Sequence, residues 1–190
     1  MRVLIVEDSL DDRTLLRYSL ERHGCQVFEA GNGQEALELA RKNPLELIIS
    51  DALMPVMDGY ELLRRLKKDA TLKNIPFIFY SAVYTEVEEQ ELALMLGASA
   101  FVVKPLEPEI FWQRLQDILQ EDGGQTKAGS ADEGNDLKLL HKYGRIVAEK
   151  LEHKVRELAR ARDEWRRTFD AISDIVTVQD LDHRLLRVNQ

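Results

Sequence analysis

The chain has 190 residues, of which 44% are hydrophobic and 32% charged, with one cysteine and a formal net charge of −8. That length allows one ordinary domain and part of another, and the mixture is globular, which excludes a large multidomain enzyme, a fibre and a disordered chain. A lone Cys25 excludes an internal disulfide scaffold and suits a reducing cytosol. The run Met1–Val6 meets acids at Glu7 and Asp8 and is too short for a signal peptide. No stretch approaches the ~18 apolar residues of a membrane span, so a cytoplasmic protein without membrane contact is expected. The charge is uneven: −10 over residues 1–135, +4 over 136–168 and −2 over 169–190. An acidic leading region does not hold nucleic acid nonspecifically. In the basic stretch, acids recur at helical spacing among the bases, the pattern of a solvated helix face.

In chain order, Val3–Val6 is a β-branched-rich run that predicts a strand ending at two acids. Asp11–Arg22 puts Leu15, Leu16 and Leu20 on one helical face, and Gly24 closes it. Cys25–Glu29 predicts a short strand, Gly33–Arg41 a helix with Ala36, Leu37 and Ala40 inward, and Leu47–Ser50 an apolar strand running into Asp51. Gly59–Lys68 is helical with Leu62, Leu63 and Leu66 on one side. Beyond Pro76 come strand Phe77–Tyr80, helix Glu86–Leu96 stopped by Gly97, strand Phe101–Val103 ended by Lys104-Pro105, and helix Glu107–Leu119. Strict alternation of short apolar strands and helices predicts an α/β fold. The expectation is a (βα)5 doubly wound parallel sheet of order 2-1-3-4-5 over residues 1–121.

Ligands of such sheets lie outside the carboxyl ends of the strands. Glu7 and Asp8 follow the first strand and Asp51 the third, and this order makes those strands neighbours. Three carboxylates in one cleft call for a cation. Mg2+ suits an all-oxygen site that keeps several waters and accepts a phosphoryl oxygen. The fourth strand ends at Ser81 and the fifth at Lys104. Metal and lysine can then cover the oxygens of a phosphoryl group while an aspartate attacks in line. A phosphatase with an aspartyl nucleophile needs a second acid two residues on, where this chain has Leu53.

Val6-Glu7-Asp8, Asp51 with Met54-Pro55 and Asp58-Gly59 behind it, Ser81-Ala82, Gly97-Ala98 and Lys104-Pro105 together resemble the receiver domain of two-component response regulators. The resemblance implies Asp51 as phosphoacceptor, with Ser81 and Lys104 as its catalytic partners. It implies Mg2+ on Asp8, on Asp51 and on the Leu53 backbone carbonyl, with Glu7 assisting through water. Lys104 would pair with Asp51 until the phosphoryl group arrives, the Lys104–Pro105 bond would be cis, and Ser81 and Phe101 would form the switch. Phosphorylation would then alter the face made by 86–96, 101–103 and 107–119 and reposition the helix that follows. The implied partner is a histidine kinase or phosphotransfer protein. The receiver would catalyse only its own phosphorylation and dephosphorylation. Leu53 and Val83 are apolar where the family often holds water-positioning groups, so slow phosphate loss is expected.

Residues 122–136 hold four glycines and read as a flexible linker. Over 137–168, Leu140, Val147, Leu151, Leu158 and Trp165 mark a coiled-coil seam in one long helix, interrupted at Gly144 and Lys154. Pairing with a second copy into a homodimer is expected. Residues 169–190 read as two strands, Ile175–Gln179 and Arg184–Val188, around a turn at Asp180–His183. Two strands cannot hold a core alone, so this incomplete α+β piece is similar to the truncated start of a PAS sensory domain. A longer parent with PAS and output domains is expected. The alternatives are the regulatory N-terminal part of a hybrid sensor histidine kinase, and a module used mainly for oligomerisation and docking.

Overall fold

Short runs rich in β-branched and aromatic residues form five parallel strands, the three inner ones almost wholly buried and one edge run leaving Gln26 and Glu29 exposed. They are β1 (Arg2–Val6), β2 (Gln26–Ala30), β3 (Leu47–Ser50), β4 (Phe77–Ser81) and β5 (Ala100–Val103), hydrogen-bonded in the order β2-β1-β3-β4-β5. The helices between and after them are α1 (Leu10–Arg22), α2 (Gly33–Lys42), α3 (Gly59–Lys68), α4 (Glu86–Met95) and α5 (Pro108–Glu121). This computed structural model describes residues 1–82, 86–121, 136–171, 177–179 and 185–188. The predicted (βα)5 sheet and its order are both present.

The period of two along each strand divides the core. Leu4, Val6, Ile48, Phe77 and Phe79 face one layer with Leu37, Leu62, Leu63 and Leu66 of α2 and α3. Val3, Ile5, Leu47, Ile49 and Ile78 face the other, with Leu16 and Leu20 of α1 and Phe111, Leu115 and Ile118 of α5. Leu15, expected on the inner face of α1, is 69% exposed. It precedes Leu16 by one helical step of about 100°, which carries it past the edge of the buried stripe.

Three helices begin on side-chain caps that anchor them at the carboxyl ends of the strands. The Ser9 hydroxyl accepts from the Asp12 amide, Asn32 from Gln34 and Glu35, and Asp58 from Glu61. The start of α3 sits hard against the end of β3. A Cβ on Gly59 would collide with the Asp51 carbonyl oxygen and lie 2.9 Å from both Ser50 Oγ and the Phe79 ring edge. Gly59→Ala is therefore expected to cost about 3 kcal/mol, because backbone and packed aromatic cannot give way. A urea unfolding midpoint equal to the parent's would show that no such close approach exists.

Element boundaries differ from the periodicity by one or two residues, as helix ends and strand ends do. β2 begins at Gln26 instead of Cys25, and α5 runs on to Glu121. The long helix α6 spans Asp136–Asp170 in place of 137–168. The chain forms two compact units, Met1–Ile146 and Val147–Gln190. In the second, Trp165 stacks on Phe169 at 4.9 Å, and β6 (Thr177–Gln179) pairs antiparallel with β7 (Leu185–Val188). Of the expected linker at 122–136, residues 122–135 lie outside the described residues, as does the turn at 180–183, and Asp136 already belongs to α6. Among the described residues, no helix is long and apolar enough to cross a membrane.

Candidate functional site

Parallel pairing of β1 with β3 puts Val6 beside Ser50, so the residues that follow each strand emerge together. Carboxylate oxygens of Glu7, Asp8 and Asp51 all lie within 4.8 Å of one another. Glu7 is the innermost, 4% exposed. Burial, and then the charge of Asp51, push its carboxyl up to about 7, against the opposing pull of Lys104 and the Ser9 amide. An all-oxygen cluster that suppresses the ionisation of one of its own members fits a hard divalent cation, which relieves the crowding by adding positive charge.

Lys104 reaches this cluster from the end of β5. Its ammonium donates to Glu7 Oε2, lies 3.7 Å from Asp12 Oδ2 and stands 5.4 Å from the centre of the Tyr80 ring. Burial works against its charge, but Asp51, Glu7 and Asp12 outweigh that and hold its pKa above the ordinary lysine value. The expected resting partner was Asp51, and the bonded partner is Glu7. The reason lies in what each carboxylate has available. Glu7 is sealed from water, with Oε1 taken by the Ser9 amide at 3.1 Å, and needs a donor for Oε2. Asp51 is half-buried and already accepts from the Ala52 amide at 2.7 Å.

Ser81 is buried at the end of β4, its hydroxyl turned to the Ala82 carbonyl at 3.4 Å. Phe101, part-buried in β5, stacks on Phe79 with ring centres 5.7 Å apart. The Lys104–Pro105 bond is cis. Leu53 packs in part against the core on the α2–α3 side, and Val83 lies outside the described residues. Of the expected seam, Leu151, Leu158 and Trp165 are exposed, Val147 is half-buried and the Leu140 side chain lies outside the described residues. Val155, not among the expected seam residues, is exposed beside them.

Three features near the site were not read from the sequence. Asp12 adds a fourth acid within reach of Lys104; its place in the first turn of a helix starting at the site was the available signal. Val56 has φ of +69° and is 85% exposed, an unfavourable conformation for a β-branched residue, and no sequence pattern marks it. Tyr143, on α6, bonds to Asp58; an aromatic one residue off an apolar seam was its signal.

Residues 3–116 match the response regulator receiver domain family. The chain belongs to that family. The receiver is 33% identical over 132 residues to a chemotaxis protein CheY homolog of Campylobacter jejuni, covering 67% of this chain and 99% of that one. It is 33% identical over 134 residues to the probable transcriptional regulator ycf27 of Porphyra purpurea, covering 70% of this chain and 54% of the relative. The chain thus spans about half the length of that relative. Among solved structures it resembles the chemotaxis response regulator CheY4 of Vibrio cholerae, with a TM-score of 0.58 and 33% identity over 62% of this chain and 98% of that one. It also resembles the signal receiver domain of a signal transduction histidine kinase from Syntrophus aciditrophicus, with a TM-score of 0.58 and 34% identity over 65% and 93% of the two chains. The protein is a receiver that is phosphorylated on aspartate in a two-component relay, and Glu7, Asp8 and Asp51 form the acidic cluster of its Mg2+ site.

Proposed function

We propose that Asp51 is the phosphoacceptor, and that Lys104 and Ser81 hold the phosphoryl group it receives. The convergence of Glu7, Asp8 and Asp51 with Lys104 beside them carries this reading. An Asp51 carboxylate oxygen attacks the donor phosphorus in line, a new P–O bond forms, and the bond to the donor histidine or acetate breaks. Mg2+ would be held by Asp8, Asp51 and the Leu53 carbonyl, with Glu7 behind, and supplies positive charge against the phosphoryl oxygens when bound. Lys104 exchanges Glu7 for a phosphoryl oxygen, and the Ser81 hydroxyl leaves the long contact with Ala82 to donate to another. Phe101 follows Ser81 inward as the switch.

Leu53 gives the site no side chain able to hold an attacking water, so the acyl phosphate is expected to be long-lived. Acetyl phosphate plus Mg2+ should place phosphate on the peptide carrying Asp51, with decay over minutes or longer. Label on any other residue overturns the acceptor assignment, and a half-life of seconds overturns the role given to Leu53.

We further propose that the receiver feeds a dimeric output through α6 in a cytoplasmic signalling protein. Leu151, Val155, Leu158 and Trp165 leave an exposed apolar stripe at spacings of four, three and seven along this helix of 35 residues, which supports pairing with a second copy. The paired strands after α6 support the opening of a PAS-like domain in a longer parent, in which a histidine kinase or phosphotransfer protein is the donor. Likeness to a receiver from a histidine kinase keeps a hybrid kinase parent as the second reading. Molar mass in solution should be that of a dimer, with beryllofluoride and Mg2+ changing the association. A monomer in both states overturns the dimeric relay.

A further inference from the structure

Tyr143 lies near the start of α6, within the same compact unit as the sheet. Its hydroxyl donates to Asp58 Oδ2. Its ring meets Tyr60 edge-on, with centres 5.9 Å apart at 77°, and packs against the buried cluster on the α2–α3 side. Burial, and then the bond to Asp58, hold the phenol above its usual range, so the hydroxyl stays a donor. Asp58 is committed on both oxygens, because Oδ1 caps α3 through the Glu61 amide at 2.8 Å. It also ends the segment that begins at Asp51, which the Gly59 amide closes onto the Ala52 carbonyl at 3.0 Å.

Behind Tyr143 the rings continue into the core. Tyr60 meets Phe79 at 4.8 Å, and Phe79 meets Phe101 at 5.7 Å. Tyr60 is 2% exposed, and its hydroxyl has no hydrogen-bond partner among the described residues. That ring is held by packing and can shift without breaking a hydrogen bond. A close-packed layer transmits displacement instead of absorbing it. A ring that turns inward at Phe101 therefore presses Phe79 on Tyr60, and half-buried Tyr143 stands at the open end of the series.

We propose that the start of α3, at Asp58 and Tyr60, is the receiver's docking site for the start of its own helix α6, and that Tyr143 undocks when the acid site is phosphorylated. The undocking rests on the acceptor role of Asp51 and the switch role of Phe101 proposed above. It gives the receiver a second output route, distinct from the expected face of α4, β5 and α5. The Tyr143 contacts tie the start of α6 to the site by contact as well as by chain.

Amide hydrogen exchange of the 190-residue chain tests both parts. The peptide covering 137–146 should exchange slowly, about tenfold more slowly than in Tyr143→Ala. Tyr143→Phe should give part of that rise. Asp58→Asn, which keeps a competent cap for α3, should add little to it in the double variant. Beryllofluoride with Mg2+ should raise exchange over 137–146 toward the Tyr143→Ala level, and by linkage Tyr143→Ala should load at several-fold lower beryllofluoride. Equal exchange over 137–146 in the parent and Tyr143→Ala overturns the docking. Slowed exchange around Ser81 and Lys104 on loading, with 137–146 unchanged, overturns the undocking while leaving the acceptor intact. Failure to load overturns the acceptor assignment and the undocking together, and the docking then stands or falls on the Tyr143 variants.

Discussion

Asp51→Asn is expected to abolish acyl-phosphate formation while leaving the fold in place. The amide is isosteric and its oxygen can still accept from the Ala52 N–H, as the carboxylate does at 2.7 Å. What it lacks is a carboxylate oxygen able to attack phosphorus. Incubation with acetyl phosphate and Mg2+ should give no hydroxylamine-sensitive label above background, against near-complete labelling of the parent. Its stability in metal-free buffer should stay within about 1 kcal/mol of the parent's. Burial is the main reason that Glu7 resists ionisation, and the charge of Asp51 adds to it. Removing that charge relieves Glu7 but also withdraws the attraction that helps hold the Lys104 ammonium, so the two effects oppose each other. Full labelling of the variant would mean that another carboxylate accepts the phosphoryl group.

Lys104→Met is expected to slow phosphoryl uptake by about 10²–10³-fold at saturating Mg2+, the usual effect of losing one fixed positive donor from a transition state. The methionine keeps most of the apolar stem, so packing against Tyr80 is largely retained. The metal ligands are untouched, and Mg2+ should still bind. Glu7 loses the ammonium that now bonds it, and its carboxyl should move further above the carboxylate range. The rate of label uptake from acetyl phosphate, measured against Mg2+ concentration, separates the two effects. A loss below tenfold would make Lys104 a structural partner of Glu7 and not a participant in transfer.

The sheet was legible because its signals are strong and local. Runs such as Leu47–Ser50 and Phe77–Ser81 have no polar side to misplace, and parallel alternation leaves few topologies. The acid cluster was legible because strand order alone brings the ends of β1 and β3 together. The choice of Lys104 between Glu7 and Asp51 was not, since it turns on which carboxylate is sealed from water and which already has a donor. Leu15 was placed inward because three leucines within six residues read as one face, although a step of one residue is enough to turn a side chain out of the stripe. Asp58 was read as part of a motif; its cap on α3 is a local contact with the Glu61 amide, whereas its hold on Tyr143 depends on a residue 85 positions away. No local pattern carries such a contact. Val56 is similar: its left-handed backbone is imposed by the turn from Asp51 into α3 and not by its own preference.

The central pairing of β1 with β3 and the reach of Lys104 to Glu7 also bear on how the chain comes to be active. Val3 pairs with Leu47, and Lys104 bonds a residue 97 positions earlier. High sequence separation of this kind is slow to close and comes late in folding. During synthesis, an emerging chain holds Glu7, Asp8 and Asp51 long before it holds Lys104, and the acids then have no lysine to balance them. On the part in transfer proposed above for Lys104, a stalled or clipped receiver lacking the fifth strand is expected to take up phosphoryl groups far more slowly than the complete one.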